Sequence, residues 1–279
     1  MTVRELLEQG TRLLEQAGVE ESASDAWILL EYVTGLDRAH YYMEMMSAVS
    51  VDKEQRYLEL IKQRSGRVPV QQITNEAWFM GLPFFVNEHV LIPRLDTEVL
   101  VEKVLKTVRP GMRILDMCTG SGCILLSLLH EEESLKGVGA DISPDALDVA
   151  RRNSVQLGLD ERAEFVRTDL FEAIPGDEKF DIIVSNPPYI RSDVIPGLME
   201  EVRDHEPLLA LDGHEDGLFF YRRIVREARS CLKPGGRLFF EIGFDQGDAL
   251  RELLTEAGYK DVAITRDLAG LNRVAEGRM

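Results

Sequence analysis

The chain has 279 residues, 44% of them hydrophobic, which is enough for two modest domains with cores that need neither disulfides nor metal to hold them. No run of eighteen apolar residues occurs and the amino terminus, "MTVRELLEQG", is charged and periodic, so a membrane span and a secretory signal are both excluded and a cytoplasmic location is expected. With 49 acidic against 32 basic residues the net charge is −17, which disfavours holding duplex nucleic acid through its phosphates and suits a basic protein partner or simply an acidic surface.

The first seventy residues read as helices. Thr2 and Glu5 form a capping-box pair, and Leu6, Leu7, Gly10, Leu13, Leu14 and Ala17 trace one face at a helical period. Ser22 and Asp25 repeat that spacing before Ala26, Trp27, Leu30 and Val33, with Gly35 as the stop. The segments "LDRAHYYM" and "VDKEQRYLELIKQRSG" complete a small bundle. Between Arg67 and Asn87 two short aromatic and β-branched runs flank Gly81 and Leu82, which predicts a hairpin. Then, in "VLIPRLDTEVLVEKVL", Asp96 or Thr97 is placed to cap a helix. The organisation expected is a helical domain over 1–70, a hairpin linker over 71–90 and an α/β domain over 91–279.

After Pro110 strands and helices alternate, as in a parallel sheet with crossover helices. Seven strands are predicted, at 113–117, 138–142, 164–168, 181–185, 237–242, 261–265 and 273–276. The cysteines Cys118, Cys123 and Cys231 match no zinc spacing and sit among apolar or small residues, so free packing thiols are expected, with no disulfide and no metal.

The first of those strands runs into "ILDMCTGSGCILLSLL", where Asp116 precedes the turn Cys118, Thr119, Gly120, Ser121, Gly122. Glycine is required where backbone turns sharply or a ligand comes close, and a loop at the carboxyl end of a strand is the usual ligand crevice of an open α/β sheet. The loop lacks the Lys and Ser/Thr of a P-loop; by itself it suits a dinucleotide, a nucleoside or nothing. The next two strands end in carboxylates. Asp141, followed by Ile142, can accept both hydroxyls of a ribose or only cap a helix beginning near Ser143; Asp169, followed by Leu170, can meet an adenine edge and face or only cap a turn. A nucleoside bearing a cation instead of phosphates would suit Asp116.

The fourth strand ends in "SNPPYI". Pro187 and Pro188 cannot donate to a sheet ladder, so the strand stops at Ser185 or Asn186, and the motif is either a rigid strand exit or an acceptor site. The series of glycine loop, Asp141, Asp169 and Asn-Pro-Pro-Tyr resembles the class I S-adenosylmethionine-dependent methyltransferases. Within them it is similar to the peptide chain release factor glutamine N(5)-methyltransferase family (PrmC/HemK). The helical amino-terminal segment, "VLIPRLDTEVLVE", "DMCTGSG", "HEPLLALDGHEDGLFFYRRI" and "RDLAGLNR" extend the likeness over nearly the whole chain.

The resemblance implies a seven-stranded Rossmann-like sheet, with the last strand antiparallel, and transfer of a methyl group from S-adenosylmethionine to the glutamine amide of the Gly-Gly-Gln loop of release factors. It implies a cytoplasmic monomer without direct nucleic-acid binding, whose helical domain docks the substrate. Cofactor residues would be Asp116, Cys118, Thr119, Gly120, Ser121, Gly122, Asp141, Ile142, Asp169, Leu170 and Asn186; Asn186, Pro187, Pro188 and Tyr189 would present the amide, Tyr189 by stacking. Two positions depart from the family pattern. Cys118 replaces a loop glycine, which a thiol can do at negative φ, and Leu170 stands where an aromatic is usual. The alternative is a DNA or RNA adenine N(6)-methyltransferase, whose target amino group the same motif would present; the charge of −17 and the compact helical domain argue against it.

Overall fold

The computed structural model describes residues 1–279. The chain divides into two compact units, Met1–Glu76 with Met199–His205, and Ala77–Leu198 with Glu206–Met279. No helix is long and apolar enough to cross a membrane.

The first unit holds α1 (Val3–Gln16), α2 (Ser22–Thr34), α3 (Arg38–Glu44), α4 (Val51–Ser65) and α5 (Val70–Thr74). Thr2 and Glu5 make the expected capping box, and Gly35 ends α2 in the left-handed conformation. The second predicted box does not form. Asp25 is buried and accepts from Arg64 Nε at 2.7 Å, an ion pair between elements in place of a local cap. Arg64 also donates to Glu201 at 2.9 Å, which explains why the short helix α9 (Glu200–His205) belongs to this unit despite its distance in sequence.

The hairpin β1 (Glu76–Phe79) and β2 (Leu82–Phe85) turns at Met80 and Gly81, whose φ values of 50° and 72° are those of a two-residue turn matched to strand twist, so the turn falls one residue earlier than expected. Six residues assigned to the linker, 71–76, lie in the helical unit. Helix α6 (Leu95–Leu105) begins without a side-chain cap, in place of the one expected at Asp96 or Thr97.

The remaining elements are β3 (Arg113–Met117), α7 (Cys123–Glu131), β4 (Lys136–Asp141), α8 (Pro144–Gln156), β5 (Ala163–Arg167), β6 (Phe180–Ser185), α10 (Leu208–Leu211), α11 (Phe219–Cys231), β7 (Leu232–Glu241), α12 (Gly247–Glu256), β8 (Lys260–Arg266) and β9 (Asn272–Arg278). The seven strands lie in the order β5-β4-β3-β6-β7-β9-β8. β9 is antiparallel to both its neighbours. Central strands alternate between two apolar layers. Leu115, Ile183, Phe240 and Ala275 pack with Ile224 and Leu250 of α11 and α12, whereas Ile114, Ile182, Phe239 and Val274 pack with Leu100 and Leu128 of α6 and α7. The strand order reverses between β3 and β6, and the crevice at their carboxyl ends is where such sheets hold ligands.

Candidate active site

A cavity of about 360 Å³ opens at that switch point, the size of a small-ligand site. Its wall contains Cys118, Thr119, Gly120, Ser121, Asp141, Ile142, Asp169, Leu170, Asn186 and Pro188. Four expected site residues, Asp116, Gly122, Pro187 and Tyr189, are not on it.

The glycine loop is laced to its neighbours by its own backbone. Thr119 N donates to Ala140 O at 3.1 Å and Gly122 N to Thr119 O at 2.8 Å. Gly120 N donates to Asp141 Oδ2 at 2.9 Å, and Ser143 N to Asp141 Oδ1 at 3.0 Å. Both oxygens of Asp141 are thus oriented by backbone, with lone pairs to spare. The cap of α8 is Ser143, whose side chain accepts from Ala146 N, so Asp141 does more than cap. Burial raises the Asp141 carboxyl above its ordinary range against the pull of these N–H groups.

Cys118 has φ 64°, in the left-handed region, where the sequence reading required a negative value. The thiol therefore occupies a conformation that glycine takes freely and other residues take at a cost of order 1 kcal/mol or more. Gly120 and Gly122, at 54° and 81°, are glycines for that reason. Leu170 also has positive φ, 49°, and packs into the sheet core at 4% exposure while bordering the cavity. All three cysteines are free.

Asp116 lies behind the loop. It is fully buried; Oδ2 accepts from Thr119 Oγ1 at 2.6 Å, and Oδ1 has no partner. Burial pushes its carboxyl up to about 7. Asp169 is committed in part to Arg223 Nη1, at 2.8 Å, an α11 cation that the sequence reading did not single out. Asn186, half-buried at the end of β6, lies on the wall with a side chain that has no hydrogen-bond partner in the protein. Tyr189 sits back from the cavity, its hydroxyl donating to Glu241 Oε1 at 3.2 Å. The stacking role expected for Tyr189 calls for a ring on the wall, and in this structure the ring is tethered behind it.

Further residues complete the site without a signal in periodicity or composition. Arg94 borders the cavity and binds both oxygens of the buried Glu206, at 2.6 and 2.7 Å. Asn153 of α8, fully buried, donates to Ser121 O at 2.9 Å and to Phe85 O at 3.0 Å and accepts from Phe85 N, tying the glycine loop to β2. The aromatics Phe219 and Phe220 and the imidazole of His214 form another stretch of wall. Arg94, His214, Phe219 and Phe220 lie in stretches that drew notice only as whole motifs, and the one clue to Asn153 is that it is a polar residue on the inward face of an amphipathic helix.

Residues 5–74 match the PrmC N-terminal domain family, and residues 109–264 match a methyltransferase domain family. Release factor glutamine methyltransferases are similar over almost the entire length. That of Clostridium acetobutylicum is 40% identical over 277 residues, 98% of this chain and 97% of the relative. That of Agrobacterium fabrum is 39% identical over 279 residues, covering 98% and 96%. Among solved structures, a methyltransferase from Pyrococcus furiosus superposes with TM-score 0.55 at 19% identity over 78% of this chain and 98% of that one. The tRNA m1G37 methyltransferase of M. jannaschii gives 0.51 at 15% identity, covering 73% and 56%. These two likenesses concern the fold.

Sheet order, the antiparallel β9 and the cavity over the glycine loop define a class I S-adenosylmethionine-dependent methyltransferase. The full-length similarity to its relatives narrows this further: the chain belongs to the release factor glutamine methyltransferase family.

The residues fit that cofactor. Asp141 offers oriented lone pairs at the end of β4, and the half-exposed Ile142 and the buried Leu170 supply apolar surface on the same wall.

Proposed function

We propose that this enzyme methylates the side-chain amide nitrogen of a glutamine on an exposed loop of peptide chain release factors, working as a cytoplasmic monomer. The observation that carries the reading is Asn186, whose side chain is unengaged by the protein on the wall of the cavity that also holds Asp141. S-adenosylmethionine, when bound, supplies an electrophilic methyl group on a sulfonium. Asp141 and Ile142 would hold its ribose and adenine, with Asp169 and Leu170 beside them.

An amide nitrogen is a weak nucleophile because its lone pair is shared with the carbonyl, so the protein's contribution is orientation. The Asn186 side-chain oxygen and the Pro187 carbonyl each accept one N–H of the glutamine, which turns the nitrogen lone pair toward the cavity. Positive charge growing on that nitrogen then meets two dipoles already in place. Pro187 and Pro188 stiffen the backbone that presents these oxygens. The helical unit is assigned a second docking role for the folded substrate, consistent with the family match of residues 5–74.

Labelled cofactor offered together with purified release factor and duplex DNA, followed by peptide mapping, tests the reading. Label is expected on one loop glutamine. Label on DNA alone would replace the reading with an adenine methyltransferase.

A further inference from the structure

The acceptor motif cannot hold itself in place. Pro187 and Pro188 have no N–H, so two consecutive residues contribute nothing to a ladder, and the geometry of Asn186 and Pro187 has to be fixed through the residues that follow. Those residues are gripped from outside. Ile190 N donates to Leu211 O at 3.0 Å, and Gly213 N donates to Ile190 O at 2.7 Å. A methyl group added at Gly213 would come within 2.7 Å of Tyr189 Cα, and one at Gly217 within 2.4 Å of the Tyr189 carbonyl oxygen, so the 213–217 loop lies directly against the motif backbone.

The centre of this grip is Gln246, which is 9% exposed. Its Nε2 donates to Tyr189 O at 3.1 Å and to Gly217 O at 3.2 Å, and its Oε1 accepts from Gly243 N at 2.9 Å; the Tyr221 hydroxyl, 3.4 Å from Oε1, donates its proton to Glu241 O at 2.8 Å. Both N–H groups of the amide are used, and its oxygen takes one backbone N–H. They join the acceptor motif, the 213–217 loop and the residues just beyond β7. No hydrocarbon or carboxylate of the same size can do this, because two carbonyls and one N–H must be met at once.

We propose that Gln246 is a positioning residue for methyl transfer: its side-chain amide fixes the Tyr189 carbonyl and so keeps Asn186 and Pro187 aimed at the cavity. The proposal rests on the reading of Asn186 to Tyr189 as the acceptor site. Gln246 is not on the wall of the cavity that holds Asn186, lining instead a second cavity with Asp245 and Leu218, and the role proposed for it is exerted through the motif backbone.

The test compares wild type with Gln246→Ala, Gln246→Glu and, as a control, Tyr259→Phe, which removes a different buried hydrogen bond, from Tyr259 to Val225 O. Melting temperature, cofactor affinity by calorimetry and single-turnover methylation of purified release factor at saturation are measured on each. Both Gln246 variants are expected to lose about 10- to 10²-fold in the single-turnover rate, as for a reacting group displaced by roughly 1 Å, with cofactor affinity within about twofold of wild type. Tyr259→Phe is expected to melt earlier and keep its rate. Should Gln246→Ala fail to fold, Gln246→Glu decides, since it keeps the Oε1 acceptor and the shape. Folded Gln246 variants with a wild-type rate, or with a loss confined to cofactor affinity, overturn the proposal. A wild-type enzyme that binds cofactor and leaves release factor unmethylated overturns the functional reading, and this proposal with it.

Discussion

The two loops that meet at the cavity are built on opposite plans. The glycine loop, Met117 to Gly122, stores its shape in its own backbone: Cys118, Gly120 and Gly122 have positive φ, and its bonds run to the next strand end. The acceptor loop, Ser185 to Ile190, has no positive φ, gives up two donors to proline, and is shaped by Gln246, Gly213 and Gly217 from far along the chain. Binding a cofactor of fixed form suits a loop shaped by its own positive-φ residues and held by the adjoining strand end and Asn153. Aiming two oxygens at a foreign amide depends on where several elements come together.

The contrast can be broken at either loop. Asn186→Ala should have the largest effect, a fall of about 10²–10³ in turnover, or roughly 2.7–4 kcal/mol, because one preorganised acceptor is lost. Cofactor affinity should be nearly unchanged, and a variant that folds and transfers methyl at the wild-type rate would end the mechanism. Gly217→Ala combines a strained φ of 72° with a collision against the Tyr189 carbonyl. Its single-turnover rate should fall by about 10²-fold, again with cofactor binding spared.

At the glycine loop the readout changes. Asp141→Ala removes the carboxylate proposed to accept the ribose hydroxyls, hydrogen bonds to a charged acceptor worth about 1.5–3 kcal/mol each. Calorimetry should show the cofactor dissociation constant raised about 10- to 10²-fold; an unchanged value would reduce Asp141 to a turn-former.

Asp116 supplies a pH dependence. Its folded pKa of about 7 stands above the value near 3.9 of an exposed Asp, so the folded state holds the proton more tightly. Its contribution to stability is complete below about pH 4 and is lost as the pH rises to about 7. Asp116→Asn should flatten that slope of melting temperature against pH in the absence of cofactor, and identical slopes for the two proteins would contradict it.

Cys118→Gly should do least. Relief of the left-handed φ is offset by the greater backbone entropy of glycine and the lost packing of the thiol, a net change within about 1 kcal/mol, with cofactor affinity retained. A large loss of affinity would show that the sulfur itself contributes.

The alternation of strands and helices after Pro110, the Thr2–Glu5 capping box, the turn at the glycines and the end of β6 at the prolines were all legible in the sequence, because each depends on interactions within a few residues or on a period of two or 3.6. Where residues far apart had to meet, local patterns misled or fell silent. Ser22 and Asp25 have the spacing of a cap, yet Asp25 serves Arg64, 39 residues away. Cys118 looked acceptable on size, and only the closed loop set its φ. Tyr189 reads as a stacking face, and its ties to Glu241 and Gln246, 52 and 57 residues downstream, have no local signal. Nothing near Gln246 in the sequence marks it, since an amide that joins three backbone segments has its reason in their convergence, and that convergence exists only once the sheet has formed.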